Sequence, residues 1–370
     1  MSPHGPTNGT QPMASAGEHD RRLRVNIVSW ESGGLGTDIE ILTETFERLG
    51  CEVRFKGRRS RKPRGRAHSM LMTGLLIAAQ RFSALTKHPS FDVNIFIERV
   101  FPEFLPQARV NCLFVNPEWF REENEARLSA IDWVLCKTPS AADCFAGVAA
   151  PRRMVHFSSN DKRIPGRQRN GPLRCLHISG ASEVKGSEAV VEVWARHPEW
   201  PELVVVRRRR YGGADAPPLA TLPNVRYETE YLSHETLMRL QNDCEVHLIP
   251  SEAEGYGHVI GEGMSCGAVV VTTDAPPMNE LVSPDRGVLV RVARSEPMRR
   301  SRRNFVDLDD LDRKLAAVFA MSPAERAAMG ANARAWYEAQ ALRFEDSMRT
   351  FLDEVRAGAG GRTARPTVGA

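Results

Sequence analysis

The sequence has no long apolar run. No window approaches the roughly 18–20 residues of a membrane-spanning helix, and the opening Met1-Ser-Pro-His-Gly-Pro-Thr-Asn-Gly lacks the apolar centre of a signal peptide. A cysteine pattern is missing too. The seven cysteines, at 51, 112, 136, 144, 175, 244 and 266, form no CxxC pair, which argues against a disulfide framework or a zinc site and for a reducing compartment. Charge of one sign is scarce: Lys+Arg exceed Asp+Glu by only 50 to 46, so the net +4 excludes bulk polyanion binding by the whole surface, and any basic patch is local. Internal repeats are absent beyond a likeness between the two halves. The expectation is a soluble cytoplasmic protein, whose 370 residues at 42% hydrophobic content suffice for two domains with separate cores.

What is present alternates. Short β-branched or apolar runs are followed by longer helical patterns, which is how a parallel sheet with crossover helices reads, so the fold class is α/β. The spacing predicts a strand at Leu23 to Ser29, the loop Glu31-Ser-Gly-Gly-Leu-Gly, and a helix at about Asp38 to Leu49 with Ile39, Leu42, Phe46 and Leu49 on one face. Further strands follow at Cys51 to Phe55, Val93 to Ile97, Asn111 to Val115 and Trp133 to Cys136, making one doubly wound domain over 23–165. The polar, broken stretch 158–172 suits an interdomain linker, after which strands and helices resume in a second domain over 166–340. Its acidic run Asp307-Leu-Asp-Asp-Leu-Asp reads as a helix start rather than a metal motif. Ser322 followed by Pro323 opens another helix, and a last helix over 341–357, with a possible return onto the first domain, ends near Arg356. The ends, 1–22 and 358–370, read as disordered tails.

The most informative stretch runs Pro250-Ser-Glu-Ala-Glu-Gly-Tyr-Gly-His-Val-Ile-Gly-Glu-Gly-Met-Ser-Cys-Gly-Ala-Val-Val-Val-Thr-Thr-Asp. A strand ends, a glycine-containing loop follows, and a helix begins, so the free N–H groups near Gly257, His258 and Val259 form an anion site at the carboxyl edge of the sheet. Glu254 in the loop and Glu262 about one turn inside the helix can reach one ligand resting on that helix start. Carboxylates suit sugar hydroxyls because each accepts two hydrogen bonds from neighbouring OH groups.

Glu254 and Glu262, with seven residues between them and Gly-Met-Ser-Cys-Gly-Ala-Val-Val-Val-Thr-Thr-Asp after them, resemble the E-x7-E signature of retaining glycosyltransferases of GT-B fold, the glycosyltransferase family 4-like or group 1 enzymes. The resemblance extends to His177-Ile-Ser-Gly-Ala-Ser-Glu-Val-Lys-Gly, to Asp274-Ala-Pro-Pro-Met-Asn-Glu-Leu-Val and to Gly287-Val-Leu-Val, covering about 170–345 well and the first half only by pattern. It implies two Rossmann-like domains facing across a cleft and transfer of a hexose from a UDP-, GDP- or ADP-sugar, with no cofactor and no metal. By the same resemblance Glu254 contacts donor-sugar hydroxyls, Glu262 holds the ribose, and Lys185 neutralises the diphosphate as the glycosidic bond breaks. Relatives often carry an arginine five or six residues before that lysine, where this chain has Gly180 and Ser179. Arg207 or Arg208, after the strand Leu203-Val-Val-Val, is a candidate replacement, or these are solvated loop residues.

The first-domain loop with Gly34 and Gly36 resembles the family's glycine-rich loop near the donor phosphates. Where relatives often place a sugar-contacting histidine, this chain has Asn116-Pro-Glu, so Asn116 and Glu118 either bind the sugar, activate the acceptor hydroxyl, or simply form a turn and a cap. Glu98, at the end of the third strand, also faces the cleft by topology. The densest charge is Lys56-Gly-Arg-Arg-Ser-Arg-Lys-Pro-Arg-Gly-Arg, seven cations in eleven residues. Through Arg58, Arg59, Arg61 and Arg64 it is either a solvated loop or a docking point for an anionic acceptor, nucleic acid or phosphorylated lipid, or for the inner membrane face. Two other readings stand beside the transferase: a non-catalytic nucleotide-sugar or nucleic-acid binder on a GT-B scaffold, and, less favoured by the pattern, a sugar-nucleotide epimerase.

Overall fold

A computed structural model describes residues 21–31, 35–59, 89–207 and 220–358. Among them are two six-stranded sheets whose neighbouring strands all run parallel. The first contains β1 (Arg24–Glu31), β2 (Glu52–Arg59), β3 (Phe91–Ile97), β4 (Ala108–Phe114), β5 (Trp133–Cys136) and β6 (Arg152–Met154), in the order β2-β1-β3-β4-β5-β6. The second contains β7 (Arg174–Gly180), β8 (Glu202–Arg207), β9 (Val225–Glu228), β10 (Val246–Ile249), β11 (Val269–Thr273) and β12 (Val288–Val290), in the order β12-β11-β10-β7-β8-β9. The order reverses between β1 and β3 in one sheet and between β7 and β10 in the other. Loops leaving the carboxyl ends of such neighbours diverge, and the crevice between them is where doubly wound sheets bind ligands.

The strands form because their side chains bury on both faces. In β8, Leu203 and Val205 join one apolar cluster while Val204 and Val206 join another, the period of two expected of a sheet covered on both sides. A ladder of buried amides crosses the first sheet: Asn26 donates to Asn94 at 2.8 Å and Asn94 to Asn111 at 2.8 Å, leaving Asn26 Oδ1 without a partner at its end.

Three features differ from the sequence reading. Where two terminal helices are expected, one helix, Pro323–Arg356, runs unbroken from a capping box between Ser322 and Glu325, because no glycine or proline follows Gly330 within it. Its first half packs on the second sheet's side, where Arg326 meets Glu245 at 2.8 Å. Its second half packs on the first sheet, with Phe351 edge-on to Trp133 at 5.5 Å. The linking stretch is packed at its start and open after it: Ser158, Ser159 and Lys162 are buried with backbone held by Tyr337, Ser265 and Asn242, whereas 165–168 and 170–172 are exposed. An unforeseen antiparallel hairpin, β13 (Val292–Met298) with β14 (Ser301–Val306), reaches from the second domain to the first. Asp307 caps the following helix by accepting from the Asp310 N–H at 2.9 Å. Among the described residues no helix is long and apolar enough to cross a membrane, and no cluster of three or more potential metal ligands occurs.

Candidate active site

Strand β10 ends at Ile249 and the chain rises through Pro250–Tyr256 to Gly257, whose φ of +105° only glycine adopts freely, before the helix His258–Ser265 begins. The first N–H groups of that helix have no intrahelical acceptor. Strand β7 delivers the neighbouring loop, and the two loops are tied together where Glu252 N–H donates to the Val184 carbonyl at 2.9 Å. This brings Lys185 Nζ onto Glu254 Oε1 as a largely buried ion pair beside the helix start. Glu262, in the second turn of the helix, accepts from Gln241 Nε2 at 2.8 Å and lies 4.0 Å from Lys162 Nζ. Its carboxylate is thereby held in one orientation.

The first domain faces this with a buried charge network. Asp38, in the first turn of the helix Leu35–Arg48, accepts from Lys137 Nζ at 2.5 Å and from His258 Nε2 at 2.8 Å, the latter across the domain boundary. Lys137 also donates to Asn116 Oδ1 at 2.6 Å and sits 4.7 Å from the Phe114 ring centre and 5.2 Å from that of Phe157, so its charge is compensated on several sides. Asn116 in turn donates to Glu98 Oε1 at 2.7 Å. Glu98 takes φ of +60°, uncommon outside glycine, which marks a backbone held in place by its surroundings. Burial raises the Glu98 carboxyl against the Asn116 hydrogen bond and Lys137, which pull it down.

Glu118 is buried in the short turn Pro117–Trp119, and its Oε2 has no hydrogen-bond partner. Burial, with the charges of Glu98 and Glu254 adding to it, pushes its carboxyl up to about 8, so at neutral pH it is mostly the neutral acid. Asp38 goes the other way: burial alone would raise it, but Lys137 and His258 hold it down at about 2. A Cβ on Gly255 would lie 2.2 Å from Asn116 Oδ1 and 2.8 Å from Glu118 Oε1, so the two domains touch closely at this glycine.

The structure therefore collects Glu254, Lys185, Glu262, Gly257, His258 and Val259 on one side and Asn116 and Glu118 on the other. Asn116 is committed through both ends of its amide, a positioning arrangement rather than a free sugar contact. Arg207 pairs with Glu188 at 3.2 Å and lines a cavity with Gly186 and Glu252. Gly36 is exposed in the first turn of its helix, with open space around it. Gly34, Arg61, Arg64 and Arg208 lie outside the described residues; Arg58 and Arg59 end β2, and their side chains lie outside them as well. Asp38, Lys137, Lys162 and Gln241 escaped the sequence reading. Their one available signal was Lys137 directly after a buried strand, at the sheet's carboxyl edge.

The glutamate pair and its helix fall within a known sequence family. Residues 223–335 match the family model described as glycosyl transferases group 1. The match lies in the second domain, and the fold of the chain is GT-B. A comparison with curated protein sequences gives no match. Among solved structures, this GT-B chain is similar to sucrose-phosphate synthase from Thermosynechococcus elongatus, at TM-score 0.65 and 17% identity over 91% of this chain and 100% of that one. It is also similar to Anabaena HepE in complex with UDP and glucose, at TM-score 0.61 and 15% identity over 91% and 100% of the two chains. A third similar structure is the E. coli trehalose-6-phosphate protein bound with UDP-2-fluoro glucose, at TM-score 0.59 and 14% identity over 90% and 99%. At these identities the likeness establishes the fold.

Proposed function

We propose that the chain is a retaining, metal-independent glycosyltransferase that moves a hexose from a nucleotide-sugar to an acceptor hydroxyl. The observation that carries this reading is the Lys185–Glu254 pair at the open start of the helix His258–Ser265. Structures of similar fold in complex with UDP and glucose or a fluorinated UDP-glucose favour a uridine donor. In the reaction the C1–O bond to the diphosphate breaks and a new C1–O bond to the acceptor forms on the same face. The acceptor proton passes to the departing phosphate, so a nucleoside diphosphate leaves. Negative charge builds on that phosphate, and Lys185 with the N–H groups near Gly257, His258 and Val259 meets it without a metal. Glu254, released from Lys185 by the competing diphosphate, accepts from sugar hydroxyls, and Glu262, oriented by Gln241 and Lys162, takes the ribose. Glu118 enters at neutral pH as a hydrogen-bond donor rather than a base, given its raised carboxyl.

The test is donor binding and hydrolysis with UDP-, GDP- and ADP-hexoses, followed by Glu254→Gln. That variant should keep the fold and lose about 10- to 1000-fold in turnover, roughly 1.4 to 4 kcal/mol. Wild-type turnover would remove Glu254 from the site. Activity in EDTA should stay within about twofold, since the stabilising charge comes from Lys185 and backbone N–H groups. Loss in EDTA with rescue by Mg or Mn would defeat the metal-independent reading. A second reading, a nucleotide-sugar binder without turnover, draws support from Gly180 and Ser179 standing where relatives carry an arginine; tight donor binding without hydrolysis or transfer would establish it.

A further inference from the structure

Next to the charge network, the carboxyl edge of the first sheet holds a second recess that the donor reading leaves unused. It is a cavity of about 140 Å³ lined by Leu35, Glu98, Arg99, Trp119, Arg121 and Asn124 among others. Trp119 is its unusual member. Asn116, Pro117, Glu118 and Phe120 around it are buried, yet the indole is 49% exposed, one of three large hydrophobic side chains so exposed among the described residues. A tryptophan at the wall of a polar recess offers a flat apolar face with a polar edge, the surface on which the C–H face of a pyranose ring stacks.

Cations crowd the same wall. Arg121 is exposed and makes no ion pair with a described residue, whereas Arg99 pairs with Glu123 and Arg127 donates to the Val100 carbonyl at 3.0 Å. Burial and the neighbouring Arg121 and Arg127 hold Arg99 below the usual arginine range, so three guanidiniums lie close together on this wall. Guanidinium groups suit planar, two-point recognition of phosphate or carboxylate.

We infer that this recess is an acceptor subsite for a monosaccharide bearing an anionic substituent, with its ring against Trp119 and its phosphate or carboxylate on Arg121 and Arg99. The inference rests on the glycosyltransferase reading and names the acceptor class for it. Position supports it: the recess shares Glu98 with the buried network, and Trp119 follows Glu118, which abuts Gly255 beside Glu254. A ring lying there is next to the donor site without occupying it.

The experiment is titration calorimetry on the full chain saturated with UDP, using glucose, glucose 6-phosphate, glucuronate and inorganic phosphate as probes, with UDP-glucose titrated separately into the free protein. At least one anionic sugar should bind about tenfold or more tighter than glucose, and Arg121→Gln should bring that ratio to within about twofold while Arg121→Lys retains part of it. Trp119→Ala should weaken every sugar probe and leave inorganic phosphate unchanged. Affinity for UDP-glucose should not move in any variant. Which of the two anionic sugars binds tells phosphate from carboxylate. Equal affinity for neutral and anionic sugars, indifference to Arg121→Gln, or inorganic phosphate binding as tightly as glucose 6-phosphate would overturn the subsite. Absence of UDP-glucose binding in the wild-type chain would instead undo the donor reading, so the two failures are distinct.

Discussion

Asp38 and Glu118 are both buried carboxyls within one network, and their neighbours send them in opposite directions. Asp38 has two cationic or N–H partners at 2.5 and 2.8 Å; Glu118 faces Glu98 and Glu254 and leaves one oxygen without a partner. Because Asp38 is held at about 2, its stabilisation is present above the ordinary carboxyl range and is lost as pH falls through about 2. Glu118, raised to about 8, behaves inversely: its favourable contribution is complete below the ordinary glutamate range and is lost as pH climbs to about 8. Glu118→Gln should therefore gain thermal stability relative to the wild type between pH 5 and pH 9, as read by unfolding scans at both. If its neutral form donates a hydrogen bond during transfer, kcat/KM should fall above about pH 8 in the wild type and not in Glu118→Gln. Parallel stability curves and superimposable pH profiles would show that Glu118 titrates normally.

At the scale of elements, the hairpin β13–β14 ties the two halves of the site together. Arg303 pairs with Glu252, and Asn304 N–H donates to the Glu252 carbonyl at 2.7 Å, which fastens the loop that carries Glu254. At the hairpin turn, Arg300 grips the other domain: Nε donates to Glu125 at 2.7 Å, Nη1 to the Cys144 carbonyl at 2.7 Å, and the guanidinium lies 4.6 Å from the Phe145 ring centre. Its backbone N–H reaches the Pro117 carbonyl at 3.3 Å, one residue from Glu118. Arg300→Ala should cost about 1–3 kcal/mol of stability, chiefly by leaving these partners unpaired, and should speed amide exchange across Val292–Val306. Unchanged exchange there would mean the hairpin is held by its own ladder alone.

Across the whole molecule, the helix Pro323–Arg356 joins the cores. One apolar cluster contains Val25, Ile95 and Trp133 of the first domain, Ile260 and Met264 of the helix His258–Ser265, and Phe344, Met348 and Phe351 of this helix. Phe351 is fully buried against Trp133, so Phe351→Ala should destabilise by about 3–5 kcal/mol, measured by denaturant unfolding. Because the helix also packs on the second domain, the loss should appear in a probe of either domain, and a change confined to the first would mean that the two unfold separately.

Two kinds of information separate in this protein. The α/β class, most strands of both sheets and the loop-to-helix element holding Glu254 and Glu262 were legible along the chain. Each depends on residues a few positions apart, where strand and helix periods and glycine's freedom act directly. The two glutamates share one site because a single turn and a single helix join them. Asp38, Lys137 and His258 could not be found that way. Asp38 lies 99 residues from Lys137 and 220 from His258, and their meeting depends on strand order, on the reversal between β1 and β3, and on how the domains face each other. The buried path after Phe157 and the unbroken final helix were hidden for the same reason. Polar residues look solvated until a tertiary neighbour pairs with them, and a helix with no breaker ends only where packing ends. Local chemistry placed the glutamate pair at the helix start; packing between distant elements decided which carboxyls there are charged and what faces them.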